Sequence, residues 1–467
     1  MTAAPALVES RNPADPADLI VQVPAPGAFA AVDTVERARD AQPGWHREGA
    51  AARSAALTAV AAAVEAAAGE LADLAVREVG KPVTEARAEV ARTVAICRYY
   101  AQAPYEPTGA VHDPAAGSGL LFTRRRPHGV AGLVTPWNFP FAIPSWKAAP
   151  ALAAGNTVVL KPAPEATACA RRLADIVRRA VPDGVFTALP GGPAEGNALL
   201  SVADVVSFTG STPVGRAVVR AATARGVPVQ AEMGGLNAAI VLPDADIDTA
   251  AAHIAAAVAG YAGQKCTATS RVIAVGGALG PLREALGAQL RTLRVGDPTD
   301  PATVCGPLID ERARDRVLGA RAGLAELTGV TGPVTAAGDG WYTAPALVSD
   351  VPAGHRLLRE EVFGPLAVLL PADDLTHAVR LTNSAAHGLV TSVHTASLDT
   401  ALGALDHLDT GMIRVNAPST GVDFHLPFGG TKESGHGPRE QGRAALEFYT
   451  SGRTYTLGPA HEPGEAT

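Results

Sequence analysis

The sequence has few cysteines, and none of them follows a spacing suited to a metal site or a disulfide framework. Only four of its 467 residues are cysteine, and no CxxC pair occurs. Zinc sites and disulfide-rich secreted domains place their cysteines at short, regular spacings. The wide spacing therefore excludes both classes and predicts reduced thiols, no metal site and a cytoplasmic location. The cysteines are Cys97, Cys169, Cys266 and Cys305.

Excess positive charge and long apolar runs are also lacking. The formal net charge is -7, and no stretch of the chain forms a basic stripe. Nucleic acids and anionic membranes attract basic surfaces, so neither is expected as a partner. The N-terminus lacks the basic and then apolar pattern of a signal peptide. The alanine-rich stretch 54–76 is interrupted by Glu65, Glu70 and Asp73, which favours a helix of a soluble protein over a membrane span.

Lysine is rare as well, since only five of the 39 basic residues are lysines. Arginine cannot replace the compact, titratable amine of lysine. The retained lysines are therefore candidate functional positions, although the alternative that some persist by chance stays open. They are Lys81, Lys147, Lys161, Lys265 and Lys432.

The residues that are abundant predict an α/β protein. Hydrophobic residues make up 47% of the chain, which is enough for a large core. Residues 30–104 have helical periodicity, whereas from Val130 short apolar strands alternate with helices. This alternation predicts a doubly wound parallel sheet. The pattern starts again after Gly235, so a second α/β domain is expected.

Two short segments carry the most chemical information. Cys266 and Glu232 each stand among glycines and small residues, about thirty residues apart. A thiolate attacks carbonyl carbon, and a carboxylate activates water against the resulting thioester. A lone cysteine is more often a small buried hydrophobe, so this pair needs support from its surroundings.

Two loops of the first α/β unit suit a phosphate or a dinucleotide. Gly210, Ser211 and Gly215 lie where an apolar strand turns into a helix, and Lys161 ends a neighbouring strand. Helix N-termini bind anions, and open parallel sheets bind ligands at the carboxyl ends of their strands. Each loop alone would be an ordinary turn; together they suggest a dinucleotide.

Seven motifs in order along nearly the whole chain resemble the aldehyde dehydrogenase superfamily. Their order is more specific than any one of them. Within the superfamily, the segments around Cys266, 422–430 and 437–450 are most similar to the 2-oxoglutarate semialdehyde (2,5-dioxopentanoate) dehydrogenase branch. The motifs are TPWNFP (135–140), GNTVVLKP (155–162), FTGSTPVG (208–215), EMGG (232–235), GQKCTATSR (263–271), EEVFGP (360–365) and PFGGTKESGHG (427–437).

The resemblance implies roles for particular residues. Cys266 matches the nucleophile and Glu232 the general base. Asn138 matches the amide donor of the oxyanion hole, which works with the backbone N–H of Cys266. Lys147 and Glu440 match positions tied to proton relay in some members. Cys266 is expected to need a lowered pKa near a nicotinamide cation.

The same resemblance implies NAD or NADP as the cofactor. Many relatives have a ribose-binding glutamate three residues after the cofactor lysine; here Pro164 stands there and Glu165 follows. Without a carboxylate at the ribose, NADP use becomes possible. With a one-residue loop shift, Glu165 would serve, and both readings stay open. The matching cofactor positions are Thr135, Trp137, Lys161, Gly210, Ser211, Gly215, Glu361 and Phe363.

The substrate is expected to be a small-molecule aldehyde. Phe141, Lys265, Thr267 and His425 match positions that line the aldehyde tunnel in the family. An acidic semialdehyde would need a cation, for which Lys265 is the first candidate and Arg414 the second. A neutral aldehyde in a tailoring or detoxifying role, thioester transfer to coenzyme A and a catalytically silent homologue remain alternatives. Glu232 disfavours coenzyme A, because acylating relatives commonly lack it.

The implied fold has three parts. Residues 1–104 and 128–233 are expected to form a dinucleotide-binding domain, and 234–440 a catalytic domain. Residues 105–127 and 441–467 are expected to form an oligomerisation arm and a C-terminal tail. Family members in which this arm adds to a neighbour's sheet are dimers or tetramers, so a homodimer or homotetramer is expected.

Overall fold

A computed structural model describes residues 6–116, 118–326, 334–335 and 339–458 of the chain. The predicted α/β class and the helical N-terminal part are both confirmed. The helices are α1 (Gly27–Arg47), α2 (Gly49–Ala66), α3 (Ala68–Val79), α4 (Val83–Gln102), α5 (Ala142–Ala154), α6 (Thr167–Arg178), α7 (Pro193–Val202), α8 (Thr212–Ala224), α9 (Ile247–Ala259), α10 (Leu279–Thr292), α11 (Glu311–Arg321), α12 (Leu375–Asn383), α13 (Leu398–Leu405) and α14 (Gly442–Phe448).

The strands are short, and they fall into six sheets within the described residues. They are β1 (Leu7–Asn12), β2 (Asp15–Pro24), β3 (Val111–His112), β4 (Leu120–Pro127), β5 (Val130–Thr135), β6 (Thr157–Pro162), β7 (Phe186–Ala188), β8 (Val205–Thr209), β9 (Val229–Glu232), β10 (Asn237–Val241), β11 (Thr269–Val275), β12 (Arg294–Gly296), β13 (Thr303–Cys305), β14 (Ala325–Glu326), β15 (Val334–Thr335), β16 (Ala346–Ser349), β17 (Leu366–Ala372), β18 (His387–Gly388), β19 (Val390–His394), β20 (Met412–Val415), β21 (Thr431–Lys432), β22 (Gly435–His436) and β23 (Thr450–Leu457).

One six-stranded sheet has the order β22-β9-β8-β5-β6-β7. Strands β5 to β9 run parallel, and β6 and β8 are buried along their whole length. Parallel strands that are covered by helices on both faces have continuous apolar sequences, which explains the short apolar segments found from Val130 onward. The carboxyl ends of β5, β6, β8 and β9 meet at one edge, which carries Thr135, Lys161, Thr209 and Glu232.

The second large sheet has seven strands in the order β14-β16-β17-β11-β10-β19-β20. Its β10 and β11 are parallel neighbours, and Asn237 at the start of β10 lies opposite Thr269 at the start of β11. The turn before Thr269 contains Cys266, so the start of this sheet lies next to the nucleophile.

A three-stranded antiparallel sheet joins β23, β4 and β3 in that order. The pairing of β23 with β4 is continuous from Thr450 opposite Pro127 to Leu457 opposite Leu120. The two distant segments of the predicted arm therefore meet in one sheet. The final residues of the predicted tail, 459–467, lie outside the described residues.

The domain boundaries remain our proposal. Strand β22 lies inside the proposed range 234–440. It nevertheless pairs with β9 of the six-stranded sheet, with His436 opposite Ala231. The chain thus returns to the first sheet shortly before Glu440.

In the described part of the chain, we find no single helix that is long and apolar enough to cross a bilayer. Only α2 and α3 taken together meet the criteria of length and composition, and that pair bends by 71° at its break. The expected cytoplasmic location stays a prediction.

Candidate active site

A cleft of about 490 Å³ opens at the carboxyl edge of the six-stranded sheet. It brings together residues from the first sheet, from the turn before β11 and from the segment before β17. Open α/β sheets bind ligands at this edge. Eight of the residues singled out in the sequence line it: Trp137, Asn138, Glu165, Gly210, Ser211, Cys266, Glu361 and Phe363.

The backbone that leads to Cys266 has an unusual conformation. Tyr261, Ala262 and Gly263 have φ values of 54°, 52° and 66°, three successive residues in the left-handed region. Such residues other than glycine cost roughly 1 to 2 kcal/mol each and persist where surrounding contacts enforce them. Here Tyr261 is fully buried, and its hydroxyl donates to the carbonyl of Val79 at 2.9 Å.

Side-chain hydrogen bonds from two residues hold the turn that carries Cys266. The Asn237 amide donates to the carbonyls of Cys266 and Ala268 at 2.7 and 2.8 Å. The hydroxyl of Ser419 donates to the carbonyl of Thr267 at 2.7 Å. The nucleophile segment is therefore fixed before any substrate arrives.

The surroundings of Cys266 in the cleft shift the pKa of its thiol. Cys266 is partly exposed to the cleft, yet burial of its sulfur raises the pKa of the thiol, and the negative charges of Glu361, Glu232 and Glu440 raise it further. Burial is the first cause of this raised pKa, and the nearby carboxylates are the second. The expectation that a nicotinamide cation lowers the pKa of Cys266 stays a prediction, and such a cation would counter both causes by stabilising the thiolate.

Asn138 lies on the loop between β5 and α5 and is 3% exposed. Its Nδ2 donates to the carbonyl of Gln264 at 2.9 Å, two residues before the nucleophile. Its Oδ1 is buried without a hydrogen-bond partner among the described residues. The amide thus already points at the nucleophile segment, where an oxyanion would form.

Glu232 ends β9 and is buried, with Oε2 unpartnered among the described residues. Burial raises its pKa well above 4.5, and the charge of Glu440 adds to the effect. Arg439, Lys147 and the backbone N–H of Gly430 oppose it. A carboxyl group with a raised pKa and a free oxygen is suited to accept a proton.

Lys147 and Glu440 form a buried ion pair behind Glu232, with side chains that are each 1% exposed. Lys147 also donates to the hydroxyl of Ser207 at 2.8 Å, and Trp146 donates to Glu440 at 2.7 Å. Burial lowers the pKa of Lys147, an effect that Glu440 and, more weakly, Glu232 oppose. The pair therefore acts on the base electrostatically.

The proposed phosphate loop begins where β8 ends. Ser211 precedes α8 without a side-chain cap, so the first N–H groups of the helix remain available to an anion. A Cβ atom on Gly215 would lie 2.6 Å from Met233, so glycine is needed for the helix to approach the sheet. These features fit a dinucleotide phosphate at this end of the cleft.

Lys161 and Glu165 stand at the end of β6. The lysine is 8% exposed, and no hydrogen bond or ion pair of it occurs among the described residues. Burial lowers its pKa, while the charges of Glu165 and Glu195 oppose the shift. Pro164 starts a short 3-10 turn that brings Glu165 to the cleft wall. A carboxylate therefore does reach the cleft from the shifted position.

Glu361 and Phe363 form the opposite wall. Glu361 accepts a hydrogen bond from the N–H of Gly235 at 3.0 Å, and burial raises its pKa to about 7. Phe363 has φ +55° and packs edge-on against Trp137 at 5.8 Å between ring centroids. Thr135 lies deeper, buried with an unpartnered hydroxyl. This wall supplies flat apolar surface and polar groups, as a nicotinamide nucleotide requires.

The four predicted substrate residues differ in their burial and in their contacts. Thr267 is buried beside Cys266, and His425 is exposed next to Phe424. Phe141 is fully buried, whereas Ile143, two residues further, lines the cleft. Lys265 forms an ion pair with Glu85 at 2.7 Å, so its charge already has a partner.

Several residues of the site could not be read from the sequence pattern. Asn237, Tyr261 and Gln264 act through backbone carbonyls and backbone conformation, which leave no spacing signal. Lys81 carried one signal, the scarcity of lysine, but nothing in the sequence linked it to Asn138 or Cys266.

The aldehyde dehydrogenase family pattern matches residues 2–455. This chain belongs to the aldehyde dehydrogenase family. It is 38% identical to an alpha-ketoglutaric semialdehyde dehydrogenase of Bacillus subtilis, over 97% of this chain and 95% of the relative. It is also 38% identical to an aminoacetaldehyde dehydrogenase of Pseudomonas aeruginosa, over 95% of this chain and 91% of that one.

A solved NAD-dependent aldehyde dehydrogenase of Sinorhizobium meliloti has a TM-score of 0.92 and 32% identity, covering 98% of this chain and 93% of the other. The predicted family, fold and enzyme class are thereby confirmed. The protein is an NAD(P)-dependent aldehyde dehydrogenase that acts on small-molecule aldehydes.

Proposed function

We propose that this aldehyde dehydrogenase oxidises an acidic semialdehyde through a thioester on Cys266. The observation that carries the chemistry is that Cys266 and Asn138 line one cleft, while Glu232 lies close enough to Cys266 to raise the pKa of its thiol. The sulfur of Cys266 attacks the aldehyde carbon, and the resulting oxyanion accepts hydrogen bonds from Asn138 and the backbone N–H of Cys266. Loss of one such donor typically costs about 3 to 4 kcal/mol of barrier.

The bound nicotinamide supplies the hydride acceptor. Its cationic ring would also offset the three carboxylates that raise the pKa of Cys266. Glu232 then takes a proton from water, and the hydroxide attacks the thioester to release the acid. In total, one aldehyde, one water and one oxidised cofactor give one acid, one reduced cofactor and a proton.

Arg92 supports the acidic character of the substrate. It lies on α4, three residues after Glu89, and residues at this spacing share a helix face. Glu89 accepts from the N–H groups of Phe141 and Ala142, so this face of α4 looks toward the loop of Asn138. Arg92 is partly buried, and its guanidinium has no ion pair or hydrogen bond among the described residues.

The electrostatics of Arg92 agree with this placement. Burial lowers the pKa of its guanidinium, and the charges of Asp423 and Glu89 oppose the shift. Arg92 is therefore within electrostatic reach of the 417–425 loop and of Glu89. A partly buried guanidinium without a fixed partner suits the carboxylate of a semialdehyde. Since Lys265 is bound by Glu85 and Arg414 donates to the carbonyl of Gly421 at 2.6 Å, Arg92 is the better anchor.

The test is a panel of aldehydes with wild type, Arg92→Leu and, as a matched control on the same helix, Arg98→Leu. Arg98 is exposed and pairs with Glu65. Arg92→Leu is expected to raise KM for succinic and 2-oxoglutarate semialdehydes about 10- to 100-fold, because a charged hydrogen bond contributes ~1.5 to 3 kcal/mol. KM for neutral aldehydes should stay unchanged.

Other outcomes of this panel separate the alternatives. A wild-type preference for neutral aldehydes would refute the acidic substrate and favour a tailoring or detoxifying role. Faster turnover with added coenzyme A would indicate thioester transfer. Absence of turnover with every aldehyde and both cofactors would favour a catalytically silent homologue.

For the cofactor we propose NAD over NADP. Glu165 lines the cleft and lies close enough to Lys161 to affect its pKa. A carboxylate beside the adenosine ribose accepts from its hydroxyls and repels a 2′-phosphate. Glu165→Gln is therefore expected to reduce the ratio of kcat/KM for NAD over NADP. An unchanged ratio would show that Glu165 does not touch the ribose.

We also propose that the protein is a homodimer or homotetramer. In the sheet β23-β4-β3, β23 is an edge strand whose backbone groups are free to pair with another copy. Light scattering coupled to gel filtration gives the mass directly. Tyr455→Pro in β23 should reduce the assembly if this edge is the interface, whereas a monomeric wild type would refute the proposal.

A further inference from the structure

Lys81 is the most completely buried cation of the described residues that the proposed chemistry does not use. Its side chain has no exposed area, and it forms an ion pair with Glu89, which is 1% exposed. The ammonium lies 3.8 Å from the ring centroid of Phe139 and 4.7 Å from that of Tyr261. A buried charge is costly unless it is paired, and here one carboxylate and two aromatic faces compensate it.

The partners of Lys81 belong to the two segments that form the proposed oxyanion hole. Phe139 directly follows Asn138, the side-chain donor. Tyr261 opens the left-handed run that leads to Cys266, the backbone donor. One ammonium therefore contacts the segments of both donors.

Glu89 extends this contact to the start of α5. One of its oxygens binds Lys81, while the other accepts from the N–H groups of Phe141 and Ala142 at 2.9 and 3.0 Å. The loop of Asn138 is thus held at both of its ends, by β5 before it and by Glu89 after it.

Two further bonds join the same region of α3 and α4 to the nucleophile segment. The hydroxyl of Tyr261 donates to the carbonyl of Val79, two residues before Lys81. Glu85, one turn before Glu89, binds Lys265, the neighbour of Cys266, at 2.7 Å. The left-handed conformation of Tyr261 and Ala262 needs such external support.

We propose that Lys81, together with Glu89, is a positioning residue pair that sets the distance between the two oxyanion donors, Asn138 and the backbone N–H of Cys266. The inference rests on the proposed catalytic roles of those two residues. Lysine suits this place because its ammonium is a compact point charge that contacts two ring faces and the Glu89 carboxylate at once. A misplacement of about 1 Å in such a site can cost ~10²-fold in rate.

If Lys81 had a purely structural role, its replacement would change the stability of the fold but not the first-turnover rate of a folded variant. Replacing a buried ion pair by apolar groups of similar volume is often neutral for stability. Lys81→Met keeps the length of the side chain but leaves Glu89 buried without its ion-pair partner, which is destabilising; the double variant Lys81→Met/Glu89→Gln removes both charges and should keep the fold. Glu78→Gln is a matched control: Glu78 is buried and accepts from the N–H groups of Ala168 and Cys169 at 2.6 and 2.7 Å, at the start of α6.

The experiment measures the rate constant of first-turnover formation of reduced cofactor, with saturating cofactor and aldehyde. Lys81→Met and Glu89→Gln should each lower it about 10- to 100-fold, with little change in KM for the aldehyde. Glu78→Gln should leave it at the wild-type value. Circular dichroism and thermal unfolding confirm that each variant is folded.

The decisive readout is a double-mutant cycle with Asn138→Ala. If Lys81 acts through the oxyanion hole, Lys81→Met should have a much smaller effect once the Asn138 amide is gone. Equal effects in both backgrounds, or a wild-type rate in Lys81→Met, would overturn the proposal. Failure of the catalytic assignment itself would show differently, as a wild-type rate in Asn138→Ala alone.

A second variant keeps the test valid if Lys81→Met does not fold. Phe139→Leu leaves the ion pair intact and removes one of the two rings. It should lower the first-turnover rate about 3- to 10-fold, as expected for a weakened cation–π contact, and show the same dependence on Asn138. An unchanged rate in a folded Phe139→Leu protein would count against a role of Lys81 in positioning the two donor segments.

Discussion

Cys266 lines the cleft and Glu232 lies near it at the end of β9, but the two residues are held in different ways. Cys266 follows three left-handed residues and is fixed by Asn237, whose amide binds two carbonyls of its turn. Glu232 ends an ordinary strand, and one of its carboxyl oxygens has no partner among the described residues. Several contacts therefore fix the backbone of Cys266, whereas Glu232 keeps one carboxyl oxygen without a partner among the described residues.

The difference agrees with what each step requires. A nucleophile must meet the carbonyl and both oxyanion donors at once, so its backbone must be fixed in advance. A general base needs only to reach a water molecule, after hydride transfer has finished. The residue that acts in acylation, Cys266, therefore has a fixed backbone, whereas the residue that acts in deacylation, Glu232, has a pKa set by burial and neighbouring charges.

The largest effect is expected at the fixed group. Cys266→Ala should lower kcat by about 10⁶-fold, as removal of a nucleophile does elsewhere, while NAD still quenches tryptophan fluorescence. Cys305→Ala, which changes a buried cysteine outside the cleft, should retain activity. Residual aldehyde oxidation by Cys266→Ala would refute the covalent route.

The next effect is expected at the base. Glu232→Gln should keep a burst of one reduced cofactor per active site and slow the following turnovers by about 10²- to 10⁴-fold. Stopped-flow absorbance separates the two phases. Hydroxylamine, which attacks a thioester without a base, should speed the slow phase. A loss of the burst would instead place Glu232 in the acylation step.

A smaller effect concerns pH. Glu232 must be ionised to accept a proton, and its pKa is raised chiefly by burial and then by Glu440, so deacylation should increase as the pH rises through that raised pKa. Glu440→Gln removes the negative charge that is the second cause of this raised pKa, so the pKa of Glu232 should fall. The acidic limb of the pH profile should therefore move to lower pH.

The pH profile has its own control. Glu433→Gln, which removes the partner of Arg216 at the surface, should leave the limb in place. A shift to higher pH in Glu440→Gln would show that the pair acts on another group.

The smallest effect tests the strain itself. Alanine to glycine inside a helix costs about 1 kcal/mol, as expected for Ala255→Gly in α9. At Ala262, with φ +52°, glycine relieves roughly 1 to 2 kcal/mol of strain, which offsets the loss of a buried methyl. Chemical denaturation should therefore show little change for Ala262→Gly. A large destabilisation would mean that this conformation carries no strain.

Much of this outcome followed from local signals. The alternation of short apolar strands with helices from Val130 onward predicted the parallel sheet. The prediction succeeded because strands such as β6 and β8 are buried along their whole length and so appear in the sequence as apolar runs. The order of the seven motifs predicted the family, which is confirmed. The raised pKa of Cys266 was not foreseen, because it arises from burial in the folded cleft and from carboxylates of β9, of the segment before β17 and of the segment before α14.

The sequence by itself determined the strand and helix types, the enzyme class and the identity of the candidate catalytic groups, because these depend on local periodicity and on motif chemistry. Only the tertiary structure decided that Lys265 is paired with Glu85, that Arg92 is left without a fixed partner, and that Lys81 touches both donor segments. These relations join residues far apart along the chain. Their energies depend on distance and burial, which exist only once the chain is folded.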